Sequence, residues 1–552
     1  MDNIIKLVEF FVSYSFIFIF FYLFGRASVI VFQTLSKEDK DTEILFLSTK
    51  LMYPLIGVVV CSNVLVLLNF VLPLKSLFVK FILCSFLLVN FKKIKIDFKA
   101  TVSIKNAFYY LIIPTVLLIS SFNVSFHYDA GYYHLNNQNW LRESNTIFGF
   151  VNIFWPFGMS SIYEYISSIL WVSKSFLQLH QLNIFFVHLF YIFIFDNFSD
   201  GKPQKLQNLS IFLLIFSLLD NFGFSGGRNG FIYLEGVGKQ DVSTGIIFFF
   251  VSILSLLILN NKKILSKIEF SIYSMLILYL IQLKLNTVII TFLYILVVVN
   301  QKQLGAPVQK IINNQKITIF FSGIWLTKTY ITTGCLIFPL SVSCLNKFDW
   351  YLPNSTIVFE EITRGYSFSY QLGTNFFEWV NTFTKNEFYT HLFLNFAIST
   401  AVLVLFKILF FENINKNLFI RKVLGIFILL NFVYLLLYGP IPRYAIGIML
   451  TSLILLAFSS GEIKFKLHNI SIYVLILLSV GTLVRVDSYK YFIENKPLII
   501  YNPLEEVKYI QSENGLLKPD EGDQCWINLE CTMNNKKLII SNGKLFKTAF
   551  SN

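Results

Sequence analysis

Charge is scarce in this chain: 14% of its 552 residues are Asp, Glu, Lys or Arg, whereas 55% are hydrophobic. That balance, with a mean hydropathy of +0.63, excludes an ordinary soluble domain and puts the chain in a bilayer. The first apolar run, from about Val8 to Leu23, lacks a small-residue cleavage site after it, so it is expected to stay as a span rather than leave as a signal. Cysteines are few: Cys61 and Cys84 lie within apolar runs, Cys335 and Cys344 near an outer loop, and Cys525 and Cys531 in the tail. None shows CxxC spacing or a neighbouring histidine, which argues against a zinc site. No internal repeat and no low-complexity linker is visible. The formal charge of +13 suggests a nucleic-acid partner only if the cations share one soluble face; here the lysines sit in short loops between apolar runs, so none is expected.

What the chain does have is apolar runs of helical span length recurring to about residue 484. Lys and Arg cluster in seven segments, 26–50, 92–105, 202–205, 262–267, 302–316, 416–422 and 464–466, and the positive-inside rule makes these cytoplasmic. Threading the chain through them predicts spans near 8–24, 51–72, 76–91, 107–122, 180–196, 206–220, 243–260, 268–282, 284–299, 316–333, 391–411, 421–438, 444–460 and 467–484, with both termini outside. The expected fold is therefore an all-α polytopic membrane protein of about fourteen spans. Its transmembrane domain (1–484) carries outer loops at 123–157, 221–242, 328–390 and 439–443, and 485–552 forms a small extracytoplasmic α/β or β-rich cap. The solution requires 158–173 not to cross, but to lie on the outer surface as an amphipathic helix bearing Glu164 and Lys174.

The polar residues that look placed fall in those outer segments. The densest group is His127-Tyr128-Asp129-Ala130-Gly131-Tyr132-Tyr133-His134-Leu135, followed by Trp140, Arg142 and Glu143. A carboxylate and two imidazoles in one aromatic loop at a membrane surface suit proton abstraction from a sugar hydroxyl; an interfacial aromatic belt is the alternative. In the next outer loop, Asp241 follows Lys239-Gln240 just before a span. Gly226-Gly227-Arg228-Asn229-Gly230 could hold phosphate through backbone amides and a guanidinium, or be a flexible turn without a P-loop's Lys-Ser/Thr ending. Arg443, in a Pro-rich turn between two spans, could neutralise a phosphate or snorkel to headgroups. Lys328 and Arg364 are further cations near the outer rim. Glu9, His180, His188, Lys284 and Lys407 are polar outliers within spans; near a helix end such residues usually snorkel, while Lys284 could mark a break between two short spans.

The string YDAGYYHLNNQNW resembles the Asp-containing first-loop motif of GT-C-type glycosyltransferases, which take sugars from polyprenyl-phosphate carriers, and especially that of a related bacterial multi-spanning family. That family's Tyr-Asp-x-x-x-Tyr-His-Leu with a following Trp is met by Tyr128, Asp129, Tyr133, His134, Leu135 and Trp140. Thr333-Gly334-Cys335-Leu336-Ile337-Phe338-Pro339 is similar to its Gly-x-Pro-Leu-Tyr-Pro segment, departing at Cys335 and Phe338. Gly439-Pro440-Ile441-Pro442-Arg443-Tyr444 is similar to its Pro-x-Pro-Arg-aromatic turn. Gly522-Asp523-Gln524-Cys525-Trp526 through Cys531-Thr532 resembles its tail, with Asn528 and Glu530 in place of Ala and Pro. The resemblance implies an inverting membrane glycosyltransferase at the extracytoplasmic face of a bacterial plasma membrane, using a polyprenyl-phosphate sugar donor and a glycan or lipid acceptor among membrane lipids.

In that frame Asp129 is the general base and His134 orients it or the sugar. Tyr133 and Asp241 bind substrate, and Arg443 with Lys328 or Arg228 stabilises the departing phosphate. Cys525 and Cys531 would close a disulfide, two free thiols being the alternative, and the bridge requires an oxidising compartment. No cofactor is expected, although some GT-C enzymes hold a divalent metal on an acidic pair such as Asp129 and Asp241. The rivals are an O-antigen or capsule polymerase, against which the scarcity of arginine speaks, and a lipid-sugar transporter or flippase. The latter needs related halves and midplane charges that the sequence does not show.

Overall fold

The computed structural model describes residues 2–36, 46–88, 104–159, 161–172, 175–198, 202–224, 229–345, 347–366, 370, 374–413, 418–464, 469–496, 507–511, 517–533, 538–543 and 547–551. It is mostly helical, and a helix stands at each of the fourteen predicted segments. Among the described residues eight of these helices are long and apolar enough to cross a membrane, or nine if the bent pair Ile470–Leu483 and Val486–Glu494 is one span. Some predicted spans are short: Leu77–Leu88 has 12 residues, about 18 Å of helix against a hydrocarbon core of about 30 Å.

Glycine sets how closely the first two long helices meet. A Cβ on Gly25 would lie 1.8 Å from the carbonyl oxygen of Tyr53, and one on Gly57 1.9 Å from that of Phe21, so Asp2–Ser36 and Thr49–Asn69 pack backbone to backbone. Buried polar side chains then pin helices to one another. Gln282 donates to Asn63 Oδ1 at 3.0 Å, and the Tyr191 hydroxyl meets Ser217 and Ser479 at 2.9 and 2.8 Å. His180 and His188 belong to this set rather than to a snorkelling rim. His180 meets the Ser120 hydroxyl at 2.9 Å, and His188 bridges the Tyr14 hydroxyl and the Tyr109 carbonyl at 2.7 and 2.8 Å.

The stretch 158–173 departs from expectation. It does not lie along the surface: it forms an eight-residue helix, Ile162–Ile169, with Ile162 to Ser168 all buried, and Lys174 lies outside the described residues. About 12 Å of helix cannot cross a bilayer, and Glu164 is drawn inward because it finds His134 and Gln138 there. Lys284 does fall at a break. The helix Lys267–Leu283 ends at it, and the chain resumes as a 3-10 turn, Leu285–Ile290, before Thr291–Gln303.

The predicted 328–390 loop carries two short helices, Pro353–Tyr366 and Phe376–Thr384. The tail contributes two antiparallel strand pairs, Tyr509–Gln511 with Leu517–Pro519 and Leu538–Asn542 with Lys547–Ser551. It is stitched to the bundle: Ala549 N–H donates to the Phe148 carbonyl at 2.9 Å, and Asn136 Nδ2 to the Asn528 carbonyl at 2.6 Å.

Candidate active site

The loop expected to face outward first opens with a single π-helical turn, Ala130–His134, which passes into the helix Leu135–Glu143; such turns recur at functional sites. Its position is set by a short parallel pairing in which His127 N–H donates to the Val237 carbonyl and Val237 N–H to the Ser125 carbonyl, both at 2.9 Å. Gly238 permits the next step. With φ +89 it adopts a conformation rare for other residues, and a Cβ there would fall 2.6 Å from that of Ala130. The outcome is that Lys239 Nζ reaches Asp129 Oδ2 at 2.7 Å.

The tail closes over this loop. Trp526 N–H donates to the Gly131 carbonyl at 2.9 Å, Gln524 Nε2 to the Tyr128 carbonyl at 3.2 Å, and the Tyr128 hydroxyl to Asp523. A Cβ on Gly131 would sit 2.8 Å from Gln524 Oε1 and the Trp526 ring. Cys525 and Cys531 form the expected disulfide, and Cys335–Cys344 forms a second that the sequence reading did not draw. Its only sequence signal was location, since both cysteines flank the Leu336 to Pro339 segment.

Asp241 and Arg443 are brought together by two helix starts. Asp241 begins the helix Asp241–Asn261, whose first amides, of Asp241 and Val242, donate to Glu235 Oε1 at 2.7 and 3.0 Å. Arg443 lies in the first turn of Pro442–Phe458, where proline is tolerated because its missing N–H has no partner to lose. These helices touch through glycine: a Cβ on Gly245 would lie 2.5 Å from Ile446, and one on Gly447 2.8 Å from Phe248. Asp241 ion-pairs with Lys284, whose ammonium stands 5.0 Å from the centre of the Tyr444 ring, and the Arg443 guanidinium lies 5.4 Å from the same ring.

One cavity of about 280 Å³ is lined by Asp129, Tyr133, His134, Asp241 and Arg443 together with Glu164, Lys239 and Lys284. Leu336 to Pro339 and Trp325 form its apolar wall. Two aspartates, each with a lysine, thus share one cavity with a guanidinium. Burial alone would raise the Asp129 carboxyl, but Lys239, His134 and His127 outweigh it and hold the group below its usual range. Burial, reinforced by Lys239, pushes His127 down to about 4, so its imidazole is neutral near pH 7. Burial, reinforced by Asp241, pushes Glu235 up to about 7, and among the described residues its Oε2 has no hydrogen-bond partner.

Other expected residues lie elsewhere or outside the described residues. Lys328 does not line the cavity, although Trp325 and Thr329 of its helix do. It sits on the flank of that helix, its ammonium 4.6 and 5.7 Å from the Trp325 and Tyr165 ring centres. Arg228 lies outside the described residues. Arg364 is not among the lining residues and pairs with Glu360 at 2.6 Å. His134 does not orient Asp129: its Nδ1 pairs with Glu164, whose other oxygen accepts from Gln138 at 2.7 Å. The imidazole beside Asp129 is that of His127, whose Nδ1 lies 3.5 Å from Oδ2 and accepts the Asp129 N–H at 3.1 Å. Among the described residues no group of three or more His, Cys, Asp or Glu gathers as a metal would require. Asp129 and Asp241 each hold an ammonium where a divalent ion would bind, so this donor set does not fit a metal.

Lys239, Lys284, Glu164 and Glu235 are the participants that sequence reading left without a role. Lys239 stands two residues before Asp241 and Lys284 is a lone charge in an apolar run; nothing local distinguishes the two glutamates.

Among known proteins, a family model described as a domain of unknown function (DUF8201) matches residues 8–450. No curated protein and no solved structure matches the chain.

Proposed function

We propose that this chain, which belongs to the DUF8201 family, is an inverting membrane glycosyltransferase that moves a sugar from a polyprenyl-phosphate carrier to an acceptor hydroxyl at the extracytoplasmic face of a bacterial plasma membrane, in the synthesis of surface polysaccharide or lipid-linked glycan. The observation that carries this reading is that Asp129, His134, Asp241 and Arg443, separated by up to 314 residues of chain, line one cavity. Fourteen spans with both termini outside belong to the same reading. Two disulfides, one beside the cavity wall and one in the tail above it, support an oxidising compartment on that side.

The residues divide the work by charge. Asp129, ionised at neutral pH, accepts the acceptor's proton as the acceptor oxygen bonds to the sugar's anomeric carbon. On the opposite side of that carbon the bond to the phosphate oxygen breaks, and the oxygen keeps the electron pair. Arg443 and Lys239 offset the charge that develops there, in an enclosed space where such an interaction is stronger than in water. Lys239 thereby takes the part first given to Lys328 or Arg228. Asp241, tied to Lys284, holds the acceptor or sugar hydroxyls. Glu164 fixes one face of His134, leaving the rest of the ring to the substrate.

The test is genetic and chemical. Surface glycans of a deletion strain are analysed by mass spectrometry, then the strain is complemented with wild type or Asp129→Asn. Loss of one sugar, restored by wild type and not by Asp129→Asn, is expected; shortened glycan chains would indicate a polymerase, and full rescue by the variant would remove Asp129 as the base.

A further inference from the structure

Lys239 and Arg443 also line a second, larger cavity, of about 760 Å³ against about 280 Å³, and its chemistry differs from that of the first. Its charged walls are Lys239, Arg443 and Arg485, with His127 and His391 beside them, and among the described residues no aspartate or glutamate lines it. Among the described residues no carboxylate lies within ion-pair distance of Arg443 or Arg485. Among the described residues, Nε of Arg443 and Oδ1 of Asn229, which is 2% exposed, have no hydrogen-bond partner. A cationic wall without a lining carboxylate, with one guanidinium N–H buried and unpaired, favours an anionic ligand.

The remaining walls say what kind of anion. Phe126, Phe231 and Ile441 make one side apolar, and His391, Leu392 and Asn395 come from the helix Glu387–Phe410. That helix is the least enclosed of the membrane-length helices, with its apolar window 17% buried, and it exposes Leu394, Ile398 and Leu405 outward. The cavity thus has a cationic floor and a wall continuous with a surface that faces lipid.

We propose that this second cavity binds the phosphate head of a lipid, gripped by Arg443, Arg485 and Lys239, with the apolar chain leaving along Glu387–Phe410. Arginine presents paired N–H groups to phosphate oxygens and lysine a point charge, while Asn229 Oδ1 accepts from a hydroxyl on the head. The carboxylate-lined cavity is then free for an uncharged acceptor, since carboxylates repel a phosphate, and Lys239 and Arg443 form the wall where the two meet. Calling this lipid the sugar donor rests on the transferase reading; phosphate binding does not.

Native mass spectrometry of the full chain in a nonionic detergent tests it, with farnesyl phosphate, farnesol and inorganic phosphate as separate probes. Farnesyl phosphate is expected to be retained and the other two lost. Arg485→Gln, at the exposed junction before the helix Val486–Glu494, and His391→Gln, on an exposed position of Glu387–Phe410, are expected to weaken farnesyl phosphate binding, Arg485→Gln by roughly tenfold to a hundredfold. Lys75→Gln, which removes a charge from the exposed ion pair with Glu143, should leave binding unchanged, and unaltered thermal unfolding certifies each variant's fold. Retention of farnesol as tight as that of its phosphate, or wild-type binding by both Arg485→Gln and His391→Gln, overturns the proposal. Equal retention of inorganic phosphate assigns the cavity to a free anion instead. Farnesyl phosphate binding in a protein whose Asp129→Asn form restores glycans would overturn the transferase reading and leave this site standing.

Discussion

The two ends of the helical bundle both carry lysine and use it in opposite ways. At one end Lys50 donates to Asn106 at 3.2 Å, Lys202 pairs with Asp196 at 3.3 Å and Lys205 reaches Asn260 at 3.4 Å. These are partly exposed contacts at the ends of helices. At the other end Lys239, with 9% of its side chain exposed, faces Asp129 at 2.7 Å, and Lys284 holds an Asp241 that is 3% exposed. The same residue type makes partly exposed contacts at one end and buried ion pairs at the other. Enclosure, not charge number, makes the difference.

Replacing one lysine at each end gives the largest contrast. Lys239→Met strips Asp129 of its partner, so turnover should fall roughly a hundredfold. Because Lys239 holds the carboxyl down, its loss moves the acid limb of the pH–rate profile to higher pH. Lys202→Met should leave turnover unchanged and cost under about 1 kcal/mol of stability. Comparable turnover in the two variants would erase the distinction between the ends.

A second contrast is steric. Gly131→Val drives a side chain into Gln524 and Trp526 and should destabilise by about 1–3 kcal/mol, with faster amide exchange across 523–532. Gly323→Ala, where nothing lies within 4 Å, should change stability by less than about 1 kcal/mol. Thermal unfolding of both variants measures the gap, and equal effects would detach the tail from the site.

The smallest effect concerns Glu235. Its folded value, about 7, lies above its ordinary 4.5, so its contribution to stability is complete below about 4.5 and is lost as pH rises through about 7. Glu235→Gln should flatten that part of the stability curve, measured as unfolding midpoints from about pH 5 to about pH 8. An unchanged slope would show that Glu235 titrates normally.

Much of this could be read in the chain because it follows from local composition. A window of apolar residues is a helix in lipid whatever its neighbours, and a lysine cluster marks a helix end, so every predicted segment carries a helix. The Tyr128 to His134 loop and the Arg443 turn also stood out, because aromatics, histidine and proline at a helix boundary are conspicuous. Glu164 did not. Its eight-residue helix has an apolar face that reads as a surface segment, and only the presence of His134 and Gln138 inside the fold turns its carboxylate inward. Lys328 failed for the converse reason: position along a helix does not say which flank a cavity occupies.

The sequence by itself determined that this is a helical membrane protein and which segments carry placed polar groups, because the bilayer demands that apolar runs satisfy their own backbone hydrogen bonds. Tertiary structure alone decided which charges meet. The approach of Gly238 to Ala130 and of Gly245 to Gly447 sets Lys239 on Asp129 and Arg443 beside Asp241. Pairings across more than a hundred residues depend on backbone proximity that no local pattern encodes.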